Sequence, residues 1–255
     1  MKKLLKKKFK RKVKKKKIKL PKEILIIKNP DKFYHENWKT PKNRDPLDIP
    51  HPYRIVICGK PNSGKSMLAK NILLRASKPF EKIIICHYDG HDTKEYEDLG
   101  DIKMLDYIPN PRDKELFDPK YKTLLIFDDL EFQYIPKEQK KYLDRFFGYS
   151  TTHKNMSIIL CAQNLTNIPV AVRRMANVFI MFKVPDMELL YLMGRKLGIK
   201  KDNFNRIFED NIKSYHDSIW FDLSAGSPFP LRRNGYLILD INKYKDRKLK
   251  KEINK

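Results

Sequence analysis

The stretch GKPNSGKS, Gly59 to Ser66, constrains this chain more than any other, because it fits G-x-x-x-x-G-K-[ST] directly behind the apolar run RIVIC. In that pattern backbone N–H groups cradle phosphate oxygens, the lysine reaches the β- and γ-phosphates, and the final hydroxyl holds Mg²⁺. The flanks supply the context. Residues 54–58 suit a buried strand, and SMLAKNILLRA (66–76) carries apolar residues at helical spacing, so strand, loop and helix follow in the required order. A helix N-terminus then aims free N–H groups and the positive end of its dipole at the anion. Gly59, Lys60, Pro61, Asn62, Ser63, Gly64, Lys65, Ser66 and Met67 are therefore expected to bind ATP, with Ser66 on Mg²⁺.

Four further apolar runs follow: KIIIC (82–86), TLLIF (123–127), SIILCA (157–162) and NVFIMF (177–182). Their hydrophobicity is continuous rather than alternating, which implies strands covered on both faces and hence a mainly parallel sheet flanked by helices. The fold class expected is α/β. DMELLYLMGRKLG (186–198) has helical spacing and a closing glycine, and SIWFDLSAGSPFPLRRNGYLILD reads as two short strands joined by a turn. The organisation expected is a basic tail (1–22), a proline-interrupted arm (23–53), a core domain (54–242) and a second basic tail (243–255).

The net charge is +24, and fourteen Lys/Arg with no acid crowd into residues 1–22. Such a block repels itself; it reads as a polyanion-binding arm, a nuclear-import signal or a solvated tail. Cys58, Cys86 and Cys161 end strand-like runs without metal-ligand or C-x-x-C spacing, which points to buried reduced thiols. No stretch approaches the roughly 20 apolar residues of a membrane span, and the N-terminus lacks the apolar centre of a secretory signal, so an intracellular protein is expected.

Two places carry chemistry beyond the phosphate loop. LLIFDDL sets Asp128 and Asp129 at the C-terminal end of a buried strand, where open parallel sheets place their ligand crevice. Asp128 is expected on the metal and Asp129 on the attacking water, with Glu131 in reserve. SIILCAQN ends with Gln163 and Asn164 at another strand tip, where an amide can bond both the γ-phosphate and the water.

The phosphate loop, LLIFDDL, and then FFGYSTTHKNMSIILCAQNLTNIPVAVRRMANVFIMFK together resemble the FtsK-HerA type genome-packaging ATPases of double-stranded DNA viruses, the poxvirus, giant-virus and virophage group. The resemblance runs over residues 54–240 and is most specific at His153, Ser157, Gln163, Asn164, Pro169 and Arg173. It implies a RecA-like P-loop core, a homo-oligomeric ring, ATP and Mg²⁺ as cofactors, double-stranded DNA as partner and a capsid protein contact. The implied location is the host cytoplasm, nucleus or viral factory, or the virion. Many family members carry Arg before the motif histidine, where this chain has Thr152, so an arginine finger does not carry over there. Arg173, matching the family's arginine after the proline, is the expected finger, with Arg145 and Arg174 also candidates; a planar guanidinium suits charge on a transferring phosphoryl group.

Two other readings stand beside a translocase. A nucleoside or nucleotide kinase needs an arginine-bearing lid, and none is visible. A nucleotide-dependent DNA-binding switch remains the other; the N/T-K-x-D signature of guanine-specific switches is absent.

Overall fold

The five apolar runs between residues 54 and 182 each form a strand, and among the described residues the strands join one nine-stranded sheet. The computed structural model describes residues 47, 49, 51–183 except 77, 90–93, 131 and 133, and 191–244 except 192, 193, 196, 225, 226 and 228. The N-terminal tail, most of the arm and of the C-terminal tail, much of the 186–198 segment, and Glu131 lie outside the described residues.

In chain order the elements are β1 (Arg54–Cys58), α1 (Lys65–Leu74), β2 (Lys82–His87), β3 (Lys103–Leu105), β4 (Thr123–Asp128), α2 (Lys137–Arg145), a π-helical turn (Phe146–Ser150), α3 (Thr151–His153), β5 (Met156–Ala162), α4 (Val170–Met175), β6 (Val178–Met181), α5 (Lys201–Asn211), β7 (Ile219–Asp222), β8 (Leu231–Arg233) and β9 (Leu237–Ile238). Spatially the strands run β3-β2-β4-β5-β1-β6-β7-β8-β9. The pairs from β3 through β6 are parallel, and β7, β8 and β9 add on antiparallel. The C-terminal stretch thus makes three strands where the sequence suggested two; β9 has only two residues, too few to show a period.

Strand parity explains the continuous hydrophobicity. Ile55 and Ile57 of β1, Leu124 and Ile126 of β4, and Ile159 and Cys161 of β5 pack with Ala69, Ile72 and Leu73 of α1. Their neighbours Val56, Cys58, Leu125, Phe127, Ile158 and Leu160 point the other way, against Leu143, Phe146, Phe147, Val172, Phe204 and Ile207 from the helices opposite. Successive side chains of a strand alternate faces, so a strand covered on both sides has no polar position to offer. Leu47, Ile49 and Tyr53, at the end of the arm, are buried in the α1-side core.

Parity also sets where the chemistry falls. Asp128 continues the series Leu124, Ile126, and His87 continues Ile83, Ile85, so each reaches the C-terminal edge of the sheet on the α1 side. A one-residue slip would turn both to the opposite face.

Candidate nucleotide site

The phosphate loop leaves the C-terminal end of β1 and enters α1. Its first residue is locked to β5, where Gly59 N donates to Ala162 O at 3.1 Å. A side chain at Gly59 would put its Cβ 2.6 Å from Ser63 Oγ and 2.8 Å from Phe182 Cβ, so the close approach demands glycine. Asn62 and Gly64 both take positive φ, 59° and 99°. Left-handed residues set between right-handed ones turn successive N–H groups into one concavity, the geometry that binds anions. No side chain caps the N-terminus of α1, which leaves its first N–H groups to a ligand. The Ser63 hydroxyl is buried with no hydrogen-bond partner among the described residues. Lys65, nearly buried, lays its ammonium across the loop mouth on Lys60 O at 3.0 Å.

Two strands away, Asp128 is buried with both oxygens engaged: Tyr96 donates its phenol to Oδ2 at 2.6 Å and the Asp129 N–H bonds Oδ1 at 3.1 Å. Burial, and then the Asp128 charge, hold the Tyr96 phenol far above its usual range, so it stays a donor. Cys161, beside the same carboxylate, is pushed up for the same two reasons in the same order. Burial pushes Cys58 up to about 12, against the nearby Lys65 charge. All three cysteines are free and buried.

His87, Glu95 and Asp128 each bring one potential ligand atom to within 4.8 Å of the others. The Asp89 N–H donates to His87 Nδ1 at 3.0 Å, so the neutral ring carries its proton on Nε2. A protonated nitrogen donates rather than ligates, which leaves the cation-binding capacity of this corner to the carboxylates. Oxygen donors from Asp128 and exposed Glu95 make a pair that fits Mg²⁺. Glu95 went unread in the sequence. It sits in a polar stretch without motif, and packing of Tyr96 beneath α1 brings it there.

Strand β5 runs between β1 and β4, so its tip lies between the phosphate loop and the acids. There Gln163 Nε2 stands 3.5 Å from Asp129 Oδ1, at the outer limit of a hydrogen bond. Asp129 holds a left-handed φ of 48°, which Asp tolerates better than most residues. Asn164 has a local task instead: its side chain accepts from Thr166 N at 3.0 Å and caps a 3₁₀ turn, Leu165–Asn167.

The arginines lie elsewhere. Arg173 donates through Nε to Ile168 O at 3.0 Å, and Arg174 lines a cleft of about 430 Å³ with Asn177, Asp222 and Ser224. Arg145 rests its guanidinium 5.4 Å from the Tyr149 ring centre, and Tyr149 stacks on His153 at 4.2 Å. His153 precedes the start of β5, whose length of roughly 20 Å separates it from the strand tip. It is not brought to the site.

No protein-family model matches the sequence, and no curated protein matches it. Among solved structures the chain is similar to the genome-packaging NTPase B204 of Sulfolobus turreted icosahedral virus 2 in complex with sulfate, at 21% identity and TM-score 0.50, covering 74% of this chain and 99% of that one. It is similar also to B204, the DNA-packaging ATPase of Sulfolobus turreted icosahedral virus, at 18% identity and TM-score 0.52, with 74% and 99% covered. Among the described residues no helix is long and apolar enough to cross a membrane. The chain has the P-loop NTPase fold of these viral packaging ATPases, a mostly parallel sheet between helices with the phosphate loop at the C-terminal end of a central strand.

Proposed function

We propose that this chain is an ATP-hydrolysing DNA translocase that packages a double-stranded viral genome into its capsid, working as a homo-oligomeric ring. One observation carries the reading: the phosphate loop, the Gln163 tip and the Asp128–Asp129 corner stand side by side on β1, β5 and β4. The setting is a fold shared with B204, which has also been solved with AMPPCP and with ATP-gammaS. An amide between the loop and the acids suits a hydrolytic motor, in which it bonds the γ-phosphate and the attacking water and so senses hydrolysis.

In this reading the loop N–H groups and the α1 N-terminus bind the phosphates, and Lys65 leaves Lys60 O to reach the β- and γ-oxygens. Asp128, with Glu95 alongside, and the Ser66 hydroxyl of the motif would hold Mg²⁺, which when bound would neutralise charge on the β- and γ-oxygens. Asp129 orients the attacking water and takes its proton, and Gln163 bonds both that water and the γ-phosphate. Arg173 acts on the neighbouring subunit's nucleotide; the same role is open to Arg145 and Arg174.

The deciding measurement is ATP turnover with and without double-stranded DNA, on a sample whose oligomeric state is determined. Stimulation by DNA in the assembled state supports the motor. Phosphoryl transfer to a nucleoside or nucleotide would make the chain a kinase, and nucleotide-dependent DNA binding without turnover would make it a switch.

A further inference from the structure

The segment between α5 and β7 contains no recognisable motif, yet it touches the phosphate loop twice. Tyr215 donates its hydroxyl to Pro61 O at 2.6 Å, and His216 Nδ1 lies 3.1 Å from Ser63 O. A carbonyl only accepts, so Nδ1 carries a proton. The two rings meet edge to face, with centroids 5.6 Å apart. Behind them stands a fixed base. Buried Asp217 accepts from Lys213 N at 2.9 Å and Ser214 N at 2.7 Å through Oδ2, which also pairs with Arg233 at 2.9 Å. Its Oδ1 accepts from Asn234 Nδ2 at 2.8 Å. The segment is thereby pinned to the β8–β9 turn.

The choice of carbonyls matters. In a trans peptide the C=O and the following N–H point in opposite directions. The oxygens of Pro61 and Ser63 belong to the peptides whose N–H groups are those of Asn62 and Gly64, the two left-handed residues of the loop. Holding these oxygens outward therefore turns those N–H groups inward, toward the phosphates.

We propose that Tyr215 and His216 are positioning residues of the phosphate loop: from the α5–β7 segment they hold its backbone in the phosphate-binding conformation before nucleotide arrives. The inference rests on the nucleotide reading above. Each hydrogen bond contributes on the order of 1 kcal/mol, so losing one weakens nucleotide binding by roughly threefold to tenfold.

The test is calorimetric titration of the full chain with ATP-gammaS, alongside thermal unfolding and steady-state turnover. Tyr215→Phe keeps the ring and removes the bond; His216→Gln keeps a donor and His216→Ala removes it. Expected are weaker binding in Tyr215→Phe and His216→Ala, near-wild-type binding in His216→Gln, a rise in KM larger than any fall in kcat, and melting temperatures lowered by no more than roughly 2–4 °C, the share of one hydrogen bond. Unchanged affinity in both Tyr215→Phe and His216→Ala overturns the inference while leaving the nucleotide reading intact. A loss shared equally by His216→Gln and His216→Ala, or accompanied by a fall in melting temperature well beyond roughly 4 °C, also overturns it and makes the contacts merely structural. A wild-type chain that binds no nucleotide removes both readings.

Discussion

Replacing Asp217 with Asn should destabilise the protein at neutral pH and do so progressively less as the solution is acidified. Burial by itself would raise this carboxyl's pKa, but hydrogen bonds from Asn234, from the Ser214 and Lys213 N–H groups and from Arg233 outweigh it and bring the pKa from 3.8 down to about 2. A depressed carboxyl pKa means the folded state prefers the charged form. Its contribution is full above the unfolded value and is lost as pH falls toward the folded one. The difference corresponds to about 2 kcal/mol at pH 7, with about half remaining at pH 3. For a domain of this size that is a fall in Tm of roughly 4–8 °C on making Asp217→Asn at pH 7. Chemical unfolding of wild type and variant at several pH values between 3 and 7 would give the difference directly. A gap that stays constant from pH 7 to pH 3, or no gap at pH 7, would refute the reasoning.

Gly59→Ala forces a Cβ within 2.6 Å of Ser63 Oγ and 2.8 Å of Phe182 Cβ; overpacking of this kind costs about 1–3 kcal/mol, and ATP titration should show affinity lost by roughly fivefold or more, wild-type affinity counting against it. Asp129→Asn should bind ATP and fail to turn it over. If it hydrolyses normally while Glu95→Gln does not, single-turnover assays will have moved the water-activating role to Glu95 in the neighbouring corner. Arg173→Ala subunits should bind nucleotide yet depress the activity of mixed rings more than in proportion to their share, and a linear mixing curve would remove Arg173 from the neighbour's site.

How much of this was legible depended on whether the signal was local. Continuous apolar runs such as TLLIF and SIILCA announced buried parallel strands, because covering both faces leaves no polar alternation. The phosphate loop and the acid at the end of β4 were legible for a related reason: loop and strand end are set by neighbours in sequence. β3, three residues long, has too few positions to show a period. Tyr96, with Glu95 beside it, reaches Asp128 across a sequence separation of 32, and Tyr215 reaches Pro61 across one of 154. No window of sequence contains both partners. The strand tip drew attention to both amides with Gln163 taken as the catalytic one, and the geometry sets Gln163 near Asp129 and Asn164 on a turn cap.

The position of β5 gives the site its internal connection. Ala162 O holds Gly59, the first residue of the phosphate loop, and the next residue along the strand is Gln163, which faces Asp129. Cys58 Sγ, at the end of β1, meets Gln163 O at 3.6 Å. A shift of the β5 tip would therefore disturb the loop anchor and the amide near the acid together. From that tip the chain continues through the 3₁₀ turn into α4, which carries Arg173 and Arg174 and packs against α2 and the π turn. If Gln163 follows the γ-phosphate, as the proposed cycle requires, the first element to receive its movement is the segment leading to the arginines proposed to serve a neighbour. In the proposed cycle, residues 164–169, three of them in the 3₁₀ turn, and one short helix would join hydrolysis in one subunit to the surface it presents to the next.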